Sequence, residues 1–200
     1  MFKKLFIVLG LVVVVWGVAR LVISPKVIFK PGDKVHPMTL MNIHGAEVRI
    51  PNAQSKWVHL QFRRFAGCPI CNLHMHSIIQ RFSEIEAAGI REVVVFHSPR
   101  ESLLPYQGNF PFDVIGDPDK KLYRQFGVGT SVFAILDVRV WPAIVKGVSL
   151  KDKPVGDAEG GALGLPADFF IDPEGKIVAS HYGVHAFDQW SVDELLALAR

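Results

Sequence analysis

Apolar and polar positions change their period several times along this chain, and each change predicts an element. Residues Leu5 to Ala19 are apolar without a break, Arg20 interrupts, and Leu21–Ile23 extend the run to Ser24-Pro25. Further on, Leu40-Met-Asn-Ile and Glu47-Val-Arg-Ile enclose His44-Gly45 and predict a short hairpin. Trp57 to Arg63 alternates and reads as a strand. From Cys68 the apolar positions recur every three or four residues through Cys71, Met75, Ile78, Ile79, Phe82 and Ile85. That spacing predicts one amphipathic helix, with Pro69 tolerated in its first turn and Gly89 as its stop.

Glu92 to His97 is a nearly continuous apolar strand, as expected in a covered sheet. A broken, helix-compatible stretch covers Ser102–Tyr106, and Phe112-Asp-Val-Ile is another strand. Asp117-Pro118 predicts a helix start, with Asp117 as cap and Gly127 as the end. Residues 128–160 read as an insertion of undefined structure around Trp141-Pro142 and a glycine-rich tract. Two strands, Ala167–Asp172 and Lys176–His181, flank the turn Asp172-Pro-Glu-Gly175. Ser191 and Glu194 stand at capping-box spacing before a closing helix. The order predicts an α/β fold of thioredoxin type, a three-layer sandwich around a central mixed sheet. The domain is expected over 37–200, after a linker at 26–36.

The first 25 residues belong to a different class. A membrane span needs about 20 apolar residues to cross a core of roughly 30 Å. Leu5–Ile23 meets that length, with Arg20 near one end where it can snorkel. Lys3 and Lys4 predict a cytoplasmic N-terminus and an extracytoplasmic, periplasmic-type domain held by a single transmembrane helix. The alternative is a cleaved signal segment ending near Gly17 and Ala19, which would release a secreted domain. Either way the domain's cysteines lie outside the cytosol, where disulfides persist.

The chain is 50% hydrophobic, 20% charged and carries a net charge of +3. No long basic run is present, which argues against nucleic acid as a partner. The two cysteines, Cys68 and Cys71, stand at the start of the predicted helix directly after a strand. Only a thiolate attacks, and a helix N-terminus lowers a cysteine pKa from about 8.5 to roughly 3.5–7.5. Cys68 is thus the candidate nucleophile, and Cys71, one turn later, the resolving thiol. Arg63 and Arg64 precede them, and strand alternation lets only one face the pair and tune it. Such a dithiol needs no cofactor and no metal. Its partners are an external thiol electron donor and a disulfide or peroxide substrate.

Other chemistries use the same residues. A bare structural disulfide over so short a loop would remove little chain entropy. A copper-binding assembly factor could use Cys68, Cys71 and one of His181 or His185. His74 and His76 are expected to flank the site at the surface. Asn72 stands where a haem attachment motif needs histidine. A binding domain with inert thiols is the third possibility.

FRRFAGCPIC, VVVFHS, GDPDKKLYRQFGV and LPADFFIDPEGKIVASHYG resemble the alkyl hydroperoxide reductase/thiol-specific antioxidant superfamily, in its peroxiredoxin-like, selenoprotein-L-like branch with a CxxC centre. PGDKVHPMTLMNIHGAEVRI resembles its opening strand pair. The resemblance covers residues 31–200, weakest over 128–160. It implies a thioredoxin fold, an antioxidant or thiol–disulfide oxidoreductase activity, and Pro166 as a cis-proline. The Leu165 backbone would then stand beside Cys68 to pair with a substrate chain. One departure is clear. Peroxiredoxins carry Pro-x-x-x-Thr-x-x-Cys. Here Gln61 and Phe65 hold those positions before Cys68, and Arg64 and Cys68 hold them before Cys71.

Overall fold

The computed structural model describes residues 28–149 and 155–200. The expected anchor at 1–25 lies outside the described residues. Among the described residues no helix is long and apolar enough to cross a membrane.

Strand β3 (Trp57–Phe62) lies at the centre of a five-stranded sheet, ordered β5-β4-β3-β6-β7. Strands β4 (Ile90–Phe96) and β5 (Asp113–Gly116) run parallel to it. Strands β6 (Ala167–Ile171) and β7 (Ile177–Tyr182) form the antiparallel hairpin on the other side. The hairpin β1 (Met38–Met41) and β2 (Glu47–Ile50) forms a separate two-stranded sheet. This is the thioredoxin-like sandwich that the strand order predicts.

Helices α1 (Pro69–Gln80) and α2 (Phe82–Ala87) follow β3, where the periodicity predicts a single helix. The break is at Arg81, whose backbone leaves the helical region at φ −114°. Its guanidinium is held by Glu84 and by Asp193 at 2.7 Å. Helix α3 (Arg100–Gln107) connects β4 to β5 and contains Pro105. Helix α4 (Lys121–Gln125) starts later than Asp117-Pro118 predicts, because residues 117–120 close a turn first. Asp117 still caps it, accepting from the N–H groups of Lys121, Leu122 and Tyr123.

The insertion is ordered where described. It contains α5 (Phe133–Leu136), a 3₁₀ turn at Val138–Val140 and α6 (Trp141–Val148). The closing helix α7 (Val192–Leu198) carries the expected capping box of Ser191 and Glu194. The stretch expected as a linker is held against the domain from residue 28 on. Phe29 packs on Phe126 at 5.0 Å, Val35 is buried, and Gly32 and Asp33 exchange backbone bonds with Ile177.

The alternation in β3 divides the core. Val58, Leu60 and Phe62 point to one face, where Phe62, Phe126 and Phe169 meet at ring distances of 5.0–5.8 Å. Each such ring contributes about 1.5–3 kcal/mol by leaving water. The other alternation, His59, Gln61 and Arg63, points toward the face covered by α1. It is buried as well, so its polar groups need partners.

Candidate active site

Beyond β3 the chain turns sharply to begin α1. Gly67 takes a positive φ of 68°, and a Cβ there would come within 2.5 Å of the Tyr106 ring. Only glycine fits, and the turn leaves Cys68 as the N-cap of α1 with Pro69 in the first turn. The Cys68 sulfur accepts a hydrogen bond from the Cys71 N–H at 3.3 Å. Both cysteines are free thiols and buried, at 0% and 4% exposure.

The two arginines divide as strand alternation requires. Arg64 faces the pair: Nη2 donates to Cys68 Sγ at 3.0 Å and Nη1 to the Ala162 carbonyl at 2.7 Å. Arg63 turns into the core, where Nη2 meets Asp168 Oδ1 at 2.6 Å and His74 Nε2 at 3.1 Å. Arg63 still acts on the site through its charge.

Burial opposes ionisation of both thiols. At Cys71 the hydrogen bond with Cys68 and the charges of Arg64 and Arg63 outweigh it, and the thiol is lowered to about 6. At Cys68 burial, with the Cys71 hydrogen bond and charge adding to it, pushes the thiol well up. The pair thus gives up one proton readily and the second hardly at all, and the remaining proton is shared between the sulfurs. Arg64 Nη2 and the Cys71 N–H converge on the Cys68 sulfur, and Arg64 also acts on Cys71 through its charge and a hydrogen bond.

Beneath the pair lies a buried polar row that sequence reasoning missed. His59 Nδ1 faces Glu92 at 2.8 Å and Nε2 faces Asp168 at 3.1 Å. Gln61 donates to Glu92 at 2.6 Å. Although burial opposes it, the two carboxylates raise His59 to about 9. Arg63, His59, Glu92 and Asp168 thus form two balanced pairs of charges within the core. His74 was expected at the surface but is buried, whereas His76 is exposed. The His74 Nε2 accepts from Arg63, so that ring is neutral with its proton on Nδ1. Burial first, then the Arg63 charge, lowers its pKa well below the usual range. The one signal in the sequence was polar residues alternating in a strand whose neighbours are apolar on both sides. His97, just beyond β4, is buried near Arg64, and burial first, then the Lys120 charge, lowers its pKa to about 4.

Two expectations at the substrate groove are corrected. Pro166 follows a trans peptide bond; among the described residues only Ile50–Pro51 is cis. The Leu165 N–H is not free to pair with a substrate chain, because it donates to Gly129 at 3.1 Å. Ser131 donates to Leu163, and Thr130 bridges Gly164, so the chain's own residues 129–131 occupy this edge. The insertion also covers the dithiol. Gly147 of α6 sits so close to Pro69 that a Cβ would stand 2.3 Å from its carbonyl oxygen. Gly156 donates its N–H to Gly67 at 3.1 Å.

His181 is committed to Asp188 at 3.0 Å. Among the described residues no group of three or more His, Cys, Asp or Glu side chains comes together to hold a metal ion.

The fold resembles that of several solved proteins. Peroxidoxin BcpB from Mycobacterium tuberculosis is 19% identical over 86% of this chain and 97% of its own, with a TM-score of 0.62. A putative thiol:disulfide interchange protein DsbE from Chlorobium tepidum is 20% identical over 86% and 99%, at 0.57. Peroxiredoxin Q from Xanthomonas campestris is 18% identical over 81% and 89%, at 0.56. No curated protein matches the chain. The family model described as AhpC/TSA antioxidant enzyme matches residues 77–185, a stretch that begins beyond both cysteines. With more than half its length matched, and a thioredoxin-like sheet carrying a dithiol at the mouth of its first helix, the chain belongs to the AhpC/TSA antioxidant enzyme family.

Proposed function

We propose that the protein is a thiol-dependent reductase that cycles Cys68 and Cys71 between dithiol and disulfide, with a small peroxide as its oxidant. The observation that carries this reading is the convergence of Arg64 Nη2 and the Cys71 N–H on the Cys68 sulfur. Two donors there stabilise a thiolate against the burial that opposes it, and a second thiol, the one lowered to about 6, stands one turn away.

The chemistry balances without a cofactor. The Cys68 thiolate attacks one peroxide oxygen; the S–O bond forms and the O–O bond breaks. The departing alkoxide takes a proton and leaves as alcohol. Cys71 then attacks the sulfenic sulfur; the S–S bond forms, the S–O bond breaks, and water leaves. The two thiols lose two electrons, and an external thiol donor restores them by exchange.

The size of the oxidant follows from access. Both sulfurs are nearly without exposed surface, and the Leu165 N–H that would pair with a peptide is taken. A small peroxide fits that enclosure better than a protein disulfide. Disulfide exchange is the second reading. It is favoured by Phe65 and Gln61 in place of the threonine and proline that activate peroxide in peroxiredoxins. On either reading residues 1–25 tether the domain on the extracytoplasmic side.

Stopped-flow mixing of the reduced full chain with hydrogen peroxide, and separately with a protein disulfide, tests the choice. Fast peroxide loss with one Cys68–Cys71 disulfide formed per peroxide is expected. Fast reaction with the protein disulfide and sluggish peroxide loss would replace the first reading by the second. Peroxide consumption that survives Cys68→Ala would remove the site assignment altogether.

A further inference from the structure

We propose that the outer face of α6 and the 3₁₀ turn before it rests on the surface of a lipid bilayer, turning the dithiol end of the domain toward the membrane. Val138, Trp141, Val145 and Val148 follow one another at three- and four-residue steps and form one stripe. They are 75%, 60%, 68% and 54% exposed. The opposite side of the same helix is already used, with Ala143 and Gly147 buried against α1. A helix apolar on both sides is expected to be covered on both, and among the described residues only one side is. More than half of the exposed large apolar side chains among the described residues lie within this insertion.

The path of the chain indicates what covers it, on the reading that Leu5–Ile23 is a membrane anchor. Phe29 donates its N–H to the Tyr182 hydroxyl at 3.0 Å, so the chain joins the domain there. Tyr182 pairs with Ala167, and Ala167 pairs with Phe62, the last residue of β3 before the turn to Cys68. The described chain therefore begins at the dithiol end of the sheet. The insertion is attached at this same end: Leu165 donates to Gly129, and Ala186 donates to Ala134 at 2.8 Å. From Ile23 to Ile28 the chain has five links and reaches at most about 18 Å. A bilayer holding the anchor would then lie within about 18 Å of Ile28, at the end of the sheet where the insertion is attached.

The chemistry of the face fits that occupant. Trp141 combines an apolar body with an N–H, the combination enriched at membrane interfaces. Lys146 is exposed beside the stripe and suits anionic headgroups, whereas Arg139 is held by Asp137 at 2.6 Å. A water-soluble partner offers no comparable reason for the short connection to an apolar run.

The test uses the full chain reconstituted in vesicles of phosphatidylethanolamine and phosphatidylglycerol. Trp16 lies within the apolar run, so Trp16→Phe leaves only the domain's tryptophans as reporters. Lipids brominated near the headgroup are expected to quench this variant. The quenching should disappear in Trp16→Phe/Trp141→Phe and drop in Trp16→Phe/Val145→Asp. Because Val145 is exposed, that variant should keep its circular dichroism spectrum. An alkaline wash of the vesicles reads the anchor separately. A chain that stays with the vesicles but shows no Trp141 quenching overturns the docking and leaves the anchor standing. A chain released by the wash overturns the anchor and, with it, the docking. In detergent micelles, a dimer split by Val145→Asp would assign the face to a second copy instead and overturn the proposal.

Discussion

Arg64 Nη2 stands 3.0 Å from the Cys68 sulfur, and the same guanidinium holds the Ala162 carbonyl at 2.7 Å. One side chain thus ties the thiol to the stretch that covers it. Replacing it with methionine keeps the bulk and removes the charge. The first proton of the dithiol, lost at about 6 with Arg64 present, should then be lost near or above the ordinary thiol value. At pH 7 alkylation of the reduced pair should slow on the order of tenfold or more. A pH–rate profile with iodoacetamide reads this directly. An unchanged midpoint in Arg64→Met would mean that the arginine positions the loop without tuning the thiol.

The roles of the two cysteines separate on substitution. Cys71→Ser should still react once with peroxide but stop at a Cys68 sulfenic acid, trapped by dimedone and seen by mass spectrometry. Cys68→Ser should form no adduct. The reverse pattern would make Cys71, the thiol with the lowered pKa, the attacking group.

The buried charge row predicts a pH dependence of stability. His59 has a folded pKa of about 9 against an ordinary value near 6.5. Its contribution is therefore complete below about 6.5 and is lost as pH rises through about 9. The amount is on the order of 3 kcal/mol. Asp168, held low despite its burial by Arg63 and His59, acts in the opposite sense, and its contribution is lost as pH falls below the ordinary carboxylate range. Urea unfolding should accordingly show falling stability between pH 7 and 9. Asp168→Ala leaves His59 and Arg63 without their shared partner and should cost about 3–5 kcal/mol. A flat profile in the wild type would show that His59 is neutral in the fold.

Gly147 sets how closely the insertion lies on the dithiol helix. In Gly147→Ala the new methyl would meet the Pro69 carbonyl oxygen at 2.3 Å, so α6 must lift. A loss of about 1–3 kcal/mol is expected, together with faster alkylation of Cys68 and Cys71. Equal alkylation rates in variant and wild type would show that reagents reach the thiols by a path that does not pass α6.

Much of this protein was fixed by local pattern. Alternation located β3, the Asp172–Gly175 turn located the β6–β7 hairpin, and the Ser191–Glu194 spacing located α7. Cys68 at the mouth of α1 with Cys71 one turn in was equally legible, because a proline in the first turn and a change of period are local signals. That one arginine alone would face the dithiol followed from alternation; that it is Arg64 did not. The rest depended on what packs against each element. β3 is covered on both faces, so His59 and Gln61, polar by pattern, became core groups bound to Glu92 and Asp168 from other strands. The Leu165 N–H looked available until residues 129–131, far from it in sequence, supplied an acceptor. The closure of the insertion over Cys68 likewise rests on contacts of Gly147 and Gly156 with residues 66–69. Pairings across so many residues leave no periodic trace in a chain, since each half satisfies its own local rules and only the fold brings the halves together.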